Sequence, residues 1–253
     1  LELEAKKQLS GSKSDIIIDY HIMGQSKTEI DKINVLLAAT TRNEVKRING
    51  ISKQIGFRNV LFNSDPIALM NCFLANYDLS EEGLDVIIHS GSSYTGILVV
   101  GRDQNIFFRE IDKGNDVFIR EVMSNKKLNY SEASDLVLEN GVNYSANNQN
   151  EPSVETSGIE MTDRNIINDL CDDIRKTLRY YLKNNGNTYF KRFYISGGMA
   201  HLKGYKEQIE DSLKISTENL NPFNKMEMEM ENLPDNYMQY TIAAGLAVRG
   251  LIK

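Results

Sequence analysis

The stretch Val86-Ile-Ile-His-Ser-Gly-Ser-Ser-Tyr-Thr-Gly-Ile-Leu-Val-Val100 holds two apolar runs joined by a glycine and hydroxyl turn. Short, β-branched runs bounded in this way predict two buried strands, Leu84 to Ile88 and Tyr94 to Val100. Gly91 places no β-carbon where the chain reverses, so the backbone there can approach a ligand closely. Successive amides in such a bend form a nest for an anion, and Ser92, Ser93 and Thr95 add hydroxyl donors. A carboxylate at the end of the first strand would complete a metal-assisted phosphate site; this chain has His89 there.

Downstream, Ile106 to Ile111 predicts a third strand, with Gly101-Arg-Asp103 turning an antiparallel meander. Helices are expected over Asp116 to Ser124 and Ser131 to Glu139, and residues 141–158 lack any hydrophobic period and predict an exposed loop. The strongest helical pattern runs from Thr162 to Lys183. Ile167, Leu170, Ile174, Leu178 and Tyr181 form its apolar stripe, Thr162 can cap it, and Asn184-Asn-Gly186 stops it. A buried strand, Arg192-Phe-Tyr-Ile-Ser-Gly-Gly198, then enters a second glycine turn. A helix over Lys203 to Leu213 follows, and Tyr240 to Arg249 predicts a helix with a small-residue face. Lys225 to Glu231 alternates Met and Glu strictly, which suits either an edge strand or a solvated acidic loop.

Upstream, residues 1–10 suit the end of an amphipathic helix. Strands are expected over Asp15 to Met23 and Ile33 to Ala39, joined by a polar hairpin from Gly24 to Lys32. Val45, Ile48, Ile51 and Ile55 recur at helical spacing after a cap at Thr41 or Asn43, and Gly56 ends that helix. Phe57 to Phe62 predicts another strand, and Ser64-Asp65-Pro66 opens a helix, with proline in a first turn that does not need its N–H.

The bulk numbers narrow the function classes. At 253 residues the chain can bury a substantial core, in one large domain or two ordinary ones. A net charge of −6 excludes a broad nucleic-acid-binding face, which needs clustered Lys and Arg. Cys72 and Cys171 both sit in apolar helical patterns, so a disulfide framework is not expected and a reducing compartment fits. No run approaches the ~18 apolar residues of a membrane-spanning helix, and no signal peptide is visible. His21 and His201 have no partners at metal-ligand spacing. The chain starts at Leu1 without an initiator methionine, which suggests a fragment of something longer.

The order of these pieces is more specific than any one of them. Strand, Gly-Ser turn, two strands, helices, a long helix and a strand ending Ser-Gly-Gly resembles the second half of actin-like nucleotide-binding proteins. Several stretches are similar to the PilM family of type IV pilus assembly proteins. They are Asp19-Tyr-His-Ile-Met-Gly24, Val35 to Val45, Ile55-Gly-Phe57, Asp65 to Leu69, Phe108 to Gly114, Arg175 to Tyr181, Tyr194 to Gly198, Asn221-Pro-Phe223 and Ala243 to Gly250.

That resemblance implies an α/β, actin-like (ribonuclease H-like) fold with a subdomain 1C of the PilM/FtsA type, incomplete at its N-terminus. Residues 1–62 would be most of 1C, 63–83 the return through subdomain 1A, and 84–253 the second lobe, 2A and 2B. It implies a cytoplasmic scaffold that docks the short N-terminal peptide of the inner-membrane protein PilN and couples the pilus machinery to its motor, with copies assembling as a homo-oligomer. Its implied cofactor is ATP with Mg²⁺, held weakly or not at all by this chain. The cofactor contacts carried over are Gly91, Ser92, Ser93 and Thr95 in the second phosphate loop, Asp172, Arg175 and Lys176 on the long helix, and Gly197, Gly198 and Met199 in the adenosine motif.

Two departures weigh against hydrolysis. PilM relatives show Asp where this chain has His89, and magnesium prefers oxygen ligands. The family's first phosphate loop, an Asp-x-Gly hairpin, is absent from these residues. Little or no ATPase activity is therefore expected, and no residue is assigned a catalytic or metal-binding role. A filament-forming cell-division protein of the FtsA type is the alternative, although such proteins end in an amphipathic membrane-targeting helix. A sugar or acid kinase of the same superfamily would need the first loop and a carboxylate base.

Overall fold

The structure is a computed structural model that describes residues 15–25, 30–58, 60–102, 106–142, 166–186, 188–227 and 233–251. The chain divides into two compact units after Ser64.

The first unit contains strands β1 (Ile16–Gln25) and β2 (Ile33–Thr41) and helix α1 (Arg42–Gln54). The strands pair antiparallel, Ile16 opposite Thr41 and Tyr20 opposite Leu37, with an irregularity between Ile22 and Gly24. Thr41 caps α1, its hydroxyl oxygen accepting from the Glu44 amide at 3.2 Å, as its position before the apolar period predicts. Side chains alternate across the pleat, so Ile16, Ile18, Tyr20 and Ile22 share one face with Val35, Leu37 and Ala39. No described residue of this unit is buried. The strand expected over Phe57 to Phe62 does not form in its described residues. A strand must satisfy its amides and carbonyls on a neighbour, and this segment pairs with no described strand.

The second unit opens with α2 (Asp65–Asn76), then β3 (Leu84–Ser90), β4 (Thr95–Val100) and β5 (Ile106–Ile111). Helices α3 (Asn115–Lys126), α4 (Tyr130–Asn140) and α5 (Ile166–Asn185) follow, then β6 (Phe190–Ser196), a single helical turn at Gly198–His201, α6 (Tyr205–Leu213), β7 (Glu218–Asn219), a turn at Tyr237–Tyr240 and α7 (Thr241–Leu251). The sheet order is β5-β4-β3-β6-β7. The first three strands form the expected antiparallel meander, while β6 runs parallel to β3 and β7 parallel to β6.

Helices cover both faces, which is why β3 and β4 are buried along their whole length rather than on alternate residues. On one face Val86, Ile88, Ile97, Val99 and Ile195 pack against Phe118, Ile119, Ile174 and Leu178 from α3 and α5. On the other, Ile87, Leu98 and Tyr194 meet Leu69, Cys72 and Phe73 of α2 and Ala244 of α7. Each fully buried Val, Leu, Ile or Phe among these contributes about 1.5–3 kcal/mol relative to exposure. A β-carbon on Gly245 would overlap the Ala68 carbonyl, so the small-residue face of α7 is spent on backbone-to-backbone packing with α2. Cys72 and Cys171 are buried and free, and burial pushes the Cys72 thiol up to about 12.

The proposed helix over residues 1–10, the Thr162 cap, and residues 143–158 of the expected loop lie outside the described residues. Lys225 and Met226 form a turn, and residues 228–231 of the alternating segment also lie outside them.

Candidate functional site at the carboxyl ends of the parallel strands

The parallel register pairs Ile88 with Ile195 and His89 with Ser196. Both central strands finish at the same end of the sheet, so the Gly91 turn and the Gly197-Gly198 turn lie side by side. Beyond the carboxyl ends of adjacent parallel strands is where open α/β sheets bind ligands.

The glycines there have different reasons to be glycine. Gly197 has φ +88°, a left-handed conformation, and a β-carbon on it would overlap the Ser90 carbonyl; the fold itself requires glycine there. Gly198 would meet nothing within 4 Å. At Gly91 a β-carbon would come no closer than 3.4 Å, to the Tyr94 carbonyl oxygen, with His89 Nε2 at 4.0 Å. The protein would tolerate side chains at Gly91 and Gly198, and their absence leaves an open cradle over the strand ends.

The first turn is more committed than its sequence suggests. The Gly91 amide donates to the Tyr94 carbonyl at 2.9 Å and so is not free for an anion. The Gly91 and Ser92 carbonyls accept from the Asn115 and Asp116 amides at 3.0 and 2.9 Å, stitching the turn to the start of α3. Ser92 Oγ donates to Asp116 Oδ1 at 2.8 Å. Thr95 is fully buried, its hydroxyl donating to the Lys113 carbonyl at 2.8 Å and lying 3.2 Å from Ser90 Oγ. Ser93 is exposed and, among the described residues, its hydroxyl is committed to no neighbour. In the second turn Met199 is buried in the core.

His89 is 7% exposed and heads a hydrogen-bonded relay. The Thr241 hydroxyl donates to the Met238 carbonyl at 2.8 Å, and the Ser196 hydroxyl donates to Thr241 Oγ1 at 2.7 Å. A carbonyl only accepts and each hydroxyl has one proton, so Ser196 Oγ must accept from His89 Nδ1, 3.0 Å away. The relay therefore places the ring proton on Nδ1 and leaves Nε2 with its lone pair. Burial pushes the imidazole pKa down to about 4, against the opposing pull of Asp65, so the ring is neutral at pH 7. The Gly197 amide also donates to the Met238 carbonyl, at 3.1 Å.

Tyr94, beside this ring, donates its hydroxyl to Asp65 Oδ2 at 2.5 Å. That bond ties the turn to the first residue of α2. Ser196, Thr241 and Asp65 were missed from the sequence because they meet only in space; the Asp-Pro helix start at Asp65 was the single local signal.

The α5 residues divide between two surroundings. Arg175 pairs with Asp172 and donates to the Ser212 carbonyl at the end of α6, at 2.6 Å. Lys176 pairs with Asp173 at 3.0 Å, and Asp173 with Lys113 at 2.7 Å. Hydrogen bonds to Lys113 first, and to Lys176, outweigh partial burial and hold the Asp173 carboxyl below its usual range. Lys176 lines a hollow of about 460 Å³ with Arg109, Glu110, Asp173 and Tyr180, which no residue of the glycine turns lines. Lys176 and Arg175 thus have different ion-pair partners, Asp173 for the first and Asp172 for the second.

A family model described as "Type IV pilus assembly protein PilM" matches residues 1–251. The chain belongs to that family. Among solved structures it is similar to a PilM-PilN type IV pilus biogenesis complex, with TM-score 0.78 and 17% identity over 100% of this chain and 72% of that one. It is also similar to the ethanolamine utilization protein EutJ from Carboxydothermus hydrogenoformans, with TM-score 0.54 and 14% identity over 83% of this chain and 62% of that one. MreB 5 of Spiroplasma citri bound to AMPPNP matches at TM-score 0.53 and 13% identity, over 83% of this chain and 64% of that one. No curated protein matches the chain. At these identities the structures establish the fold, which is actin-like, and the chain spans less than two thirds of the EutJ and MreB chains.

At Gly91 and Gly198 no side chain stands over the carboxyl ends of β3 and β6 to keep a phosphate out. Magnesium does not fit the donor set: an imidazole stands where an oxygen ligand is wanted, and no group of three His, Cys, Asp or Glu able to hold a metal occurs among the described residues.

Proposed function

We propose that this PilM-family chain is a nucleotide-responsive scaffold of type IV pilus assembly. It would hold an ATP-class nucleotide at the carboxyl ends of β3 and β6 and dock the N-terminal peptide of a PilN-type inner-membrane protein. The observation that carries the nucleotide part is the pair of glycines, Gly91 and Gly198, whose missing side chains the protein would accommodate. In this reading Gly91, Ser93, Gly197 and Gly198 frame the phosphates, while Ser92, Thr95 and Met199 build the turns from behind. A base-side role for Asp172, Arg175 and Lys176 requires their ion pairs to open.

The peptide part is supported by the first unit, which we assign as most of subdomain 1C. Its sheet leaves Tyr20 and Ile22 more than half exposed, and each of its two strands has one edge unpaired among the described strands. An extended peptide can add to such an edge, with apolar side chains fixing its register. Among the described residues no helix is long and apolar enough to cross a membrane, so attachment to the inner membrane would run through the partner. Neutral His89 supports binding with little hydrolysis, since phosphoryl transfer depends on metal and charge stabilisation. Family membership leaves the cell-division and kinase alternatives without support.

Titration with a fluorescent PilN-type N-terminal peptide tests the docking: saturable binding is expected, weakened by Ile22→Glu, and no binding overturns it. Titration with ATP and ADP tests the cleft, which no binding of either would overturn.

A further inference from the structure

We propose that His89 is a specificity-determining residue of the cleft: its Nε2 serves as an uncharged hydrogen-bond acceptor for a water that bridges to a nucleotide phosphate, and not as a metal ligand. The inference rests on the nucleotide reading above and deepens it.

The relay is anchored at Met238. Its carbonyl can only accept, so the protons of Thr241 and Ser196 both point along the relay toward it, and the relay terminates in the Nδ1–H of His89. A ring oriented in this way has one function left, a lone pair on Nε2. That atom lies 4.0 Å from where a Gly91 β-carbon would sit. The glycine is not required by the backbone or by packing at that point, and a methyl group there would cover Nε2. The turn is thus open where the acceptor is.

A phosphate oxygen has only lone pairs at pH 7 and cannot donate to Nε2, so direct contact is unfavourable. A water satisfies both groups, giving one proton to Nε2 and the other to the phosphate. The carboxylate expected at this position would instead bring a negative charge that needs a cation between itself and a phosphate. An uncharged acceptor removes that need.

Three measurements test this on the whole chain. Long-range proton–nitrogen spectra of histidine-labelled protein should show His89 protonated on Nδ1 at pH 7, and its Nε2 signal should not move with Mg²⁺ alone. Either an Nε2-protonated ring or an Mg²⁺-induced shift at Nε2 overturns the proposal. ATP and ADP should bind the wild type with affinities that agree within about threefold in Mg²⁺ and in EDTA, a difference under about 1 kcal/mol. His89→Asp should make binding depend on Mg²⁺ by about tenfold or more. A wild type that binds only with Mg²⁺ refutes the idea. Gly91→Ala should weaken nucleotide binding about tenfold with an unchanged unfolding midpoint; unchanged affinity counts against it. Absence of nucleotide binding in every buffer would overturn the cleft assignment and the water bridge together, whereas the tautomer and Mg²⁺ spectra report on His89 without any nucleotide.

Discussion

Gly197 lies so close to Ser90 that a β-carbon on it would overlap the Ser90 carbonyl oxygen, while its neighbour Gly198 would meet nothing within 4 Å. Two adjacent glycines in one turn thus answer to different demands, and substitution separates them. Gly197→Ala combines a steric overlap with a left-handed φ, and it should destabilise the protein by roughly 2–3 kcal/mol in urea denaturation. Gly198→Ala should stay within about 0.5 kcal/mol of wild type and lower nucleotide affinity.

The His89 relay predicts a specific acid response. The folded-state pKa, about 4, is below the 6.5 of a free imidazole. Between those values the unfolded chain binds a proton that the folded chain refuses, so stability is complete above pH 6.5 and declines as pH falls toward 4. A shift of this size corresponds to about 3 kcal/mol. His89→Asn has no titrating ring, and its side-chain amide can still donate to Ser196 Oγ. Denaturation between pH 6.5 and 4.5 should show a smaller loss in that variant than in wild type.

Asp85 is fully buried at the opposite end of β3. It accepts from Arg192 Nε at 2.7 Å and Nη2 at 3.0 Å, and from the Ser80 amide and hydroxyl at 2.8 and 2.7 Å. Burial alone would raise its pKa, but these four donors outweigh it and hold the carboxyl below the usual range. Its stabilisation is present above the unfolded value of about 3.9 and is lost as pH falls through the lower folded value. Asp85→Ala should cost about 3–5 kcal/mol at pH 7, because Arg192 and Ser80 lose their partner. Breaking a solvent-exposed pair such as Arg47 with Glu44 should cost far less, because water screens it.

The Tyr94 hydroxyl reaches the Asp65 carboxylate at 2.5 Å. Tyr94→Phe removes one charge-assisted hydrogen bond and keeps the ring, so a loss of about 1–2 kcal/mol is expected. Burial, followed by the Asp65 carboxylate, raises the phenol pKa, so this contribution should not change between pH 6 and 9. A pH-dependent loss over that range would show that the bond is not the one described.

Much of the second unit was legible from one dimension. Unbroken apolar runs marked β3 and β4 as strands covered on both faces, and the Ile167 to Tyr181 stripe marked the buried side of α5, because burial imposes periods that neighbouring residues record. Thr41 marked the start of α1 for the same local reason. The strand expected over Phe57 to Phe62 failed because an extended run specifies a strand only when a neighbour accepts its hydrogen bonds. The partition of the cleft was decided in space alone. That Thr95 turns inward to Lys113, that Arg175 is held by Ser212, and that Met238 sets the proton position on His89 are relations across 18, 37 and 149 residues, the last through two hydroxyls. Hydrogen bonds between residues so far apart leave no spacing in a sequence; they exist once the parallel pairing of β3 with β6 brings Ser196 beside His89.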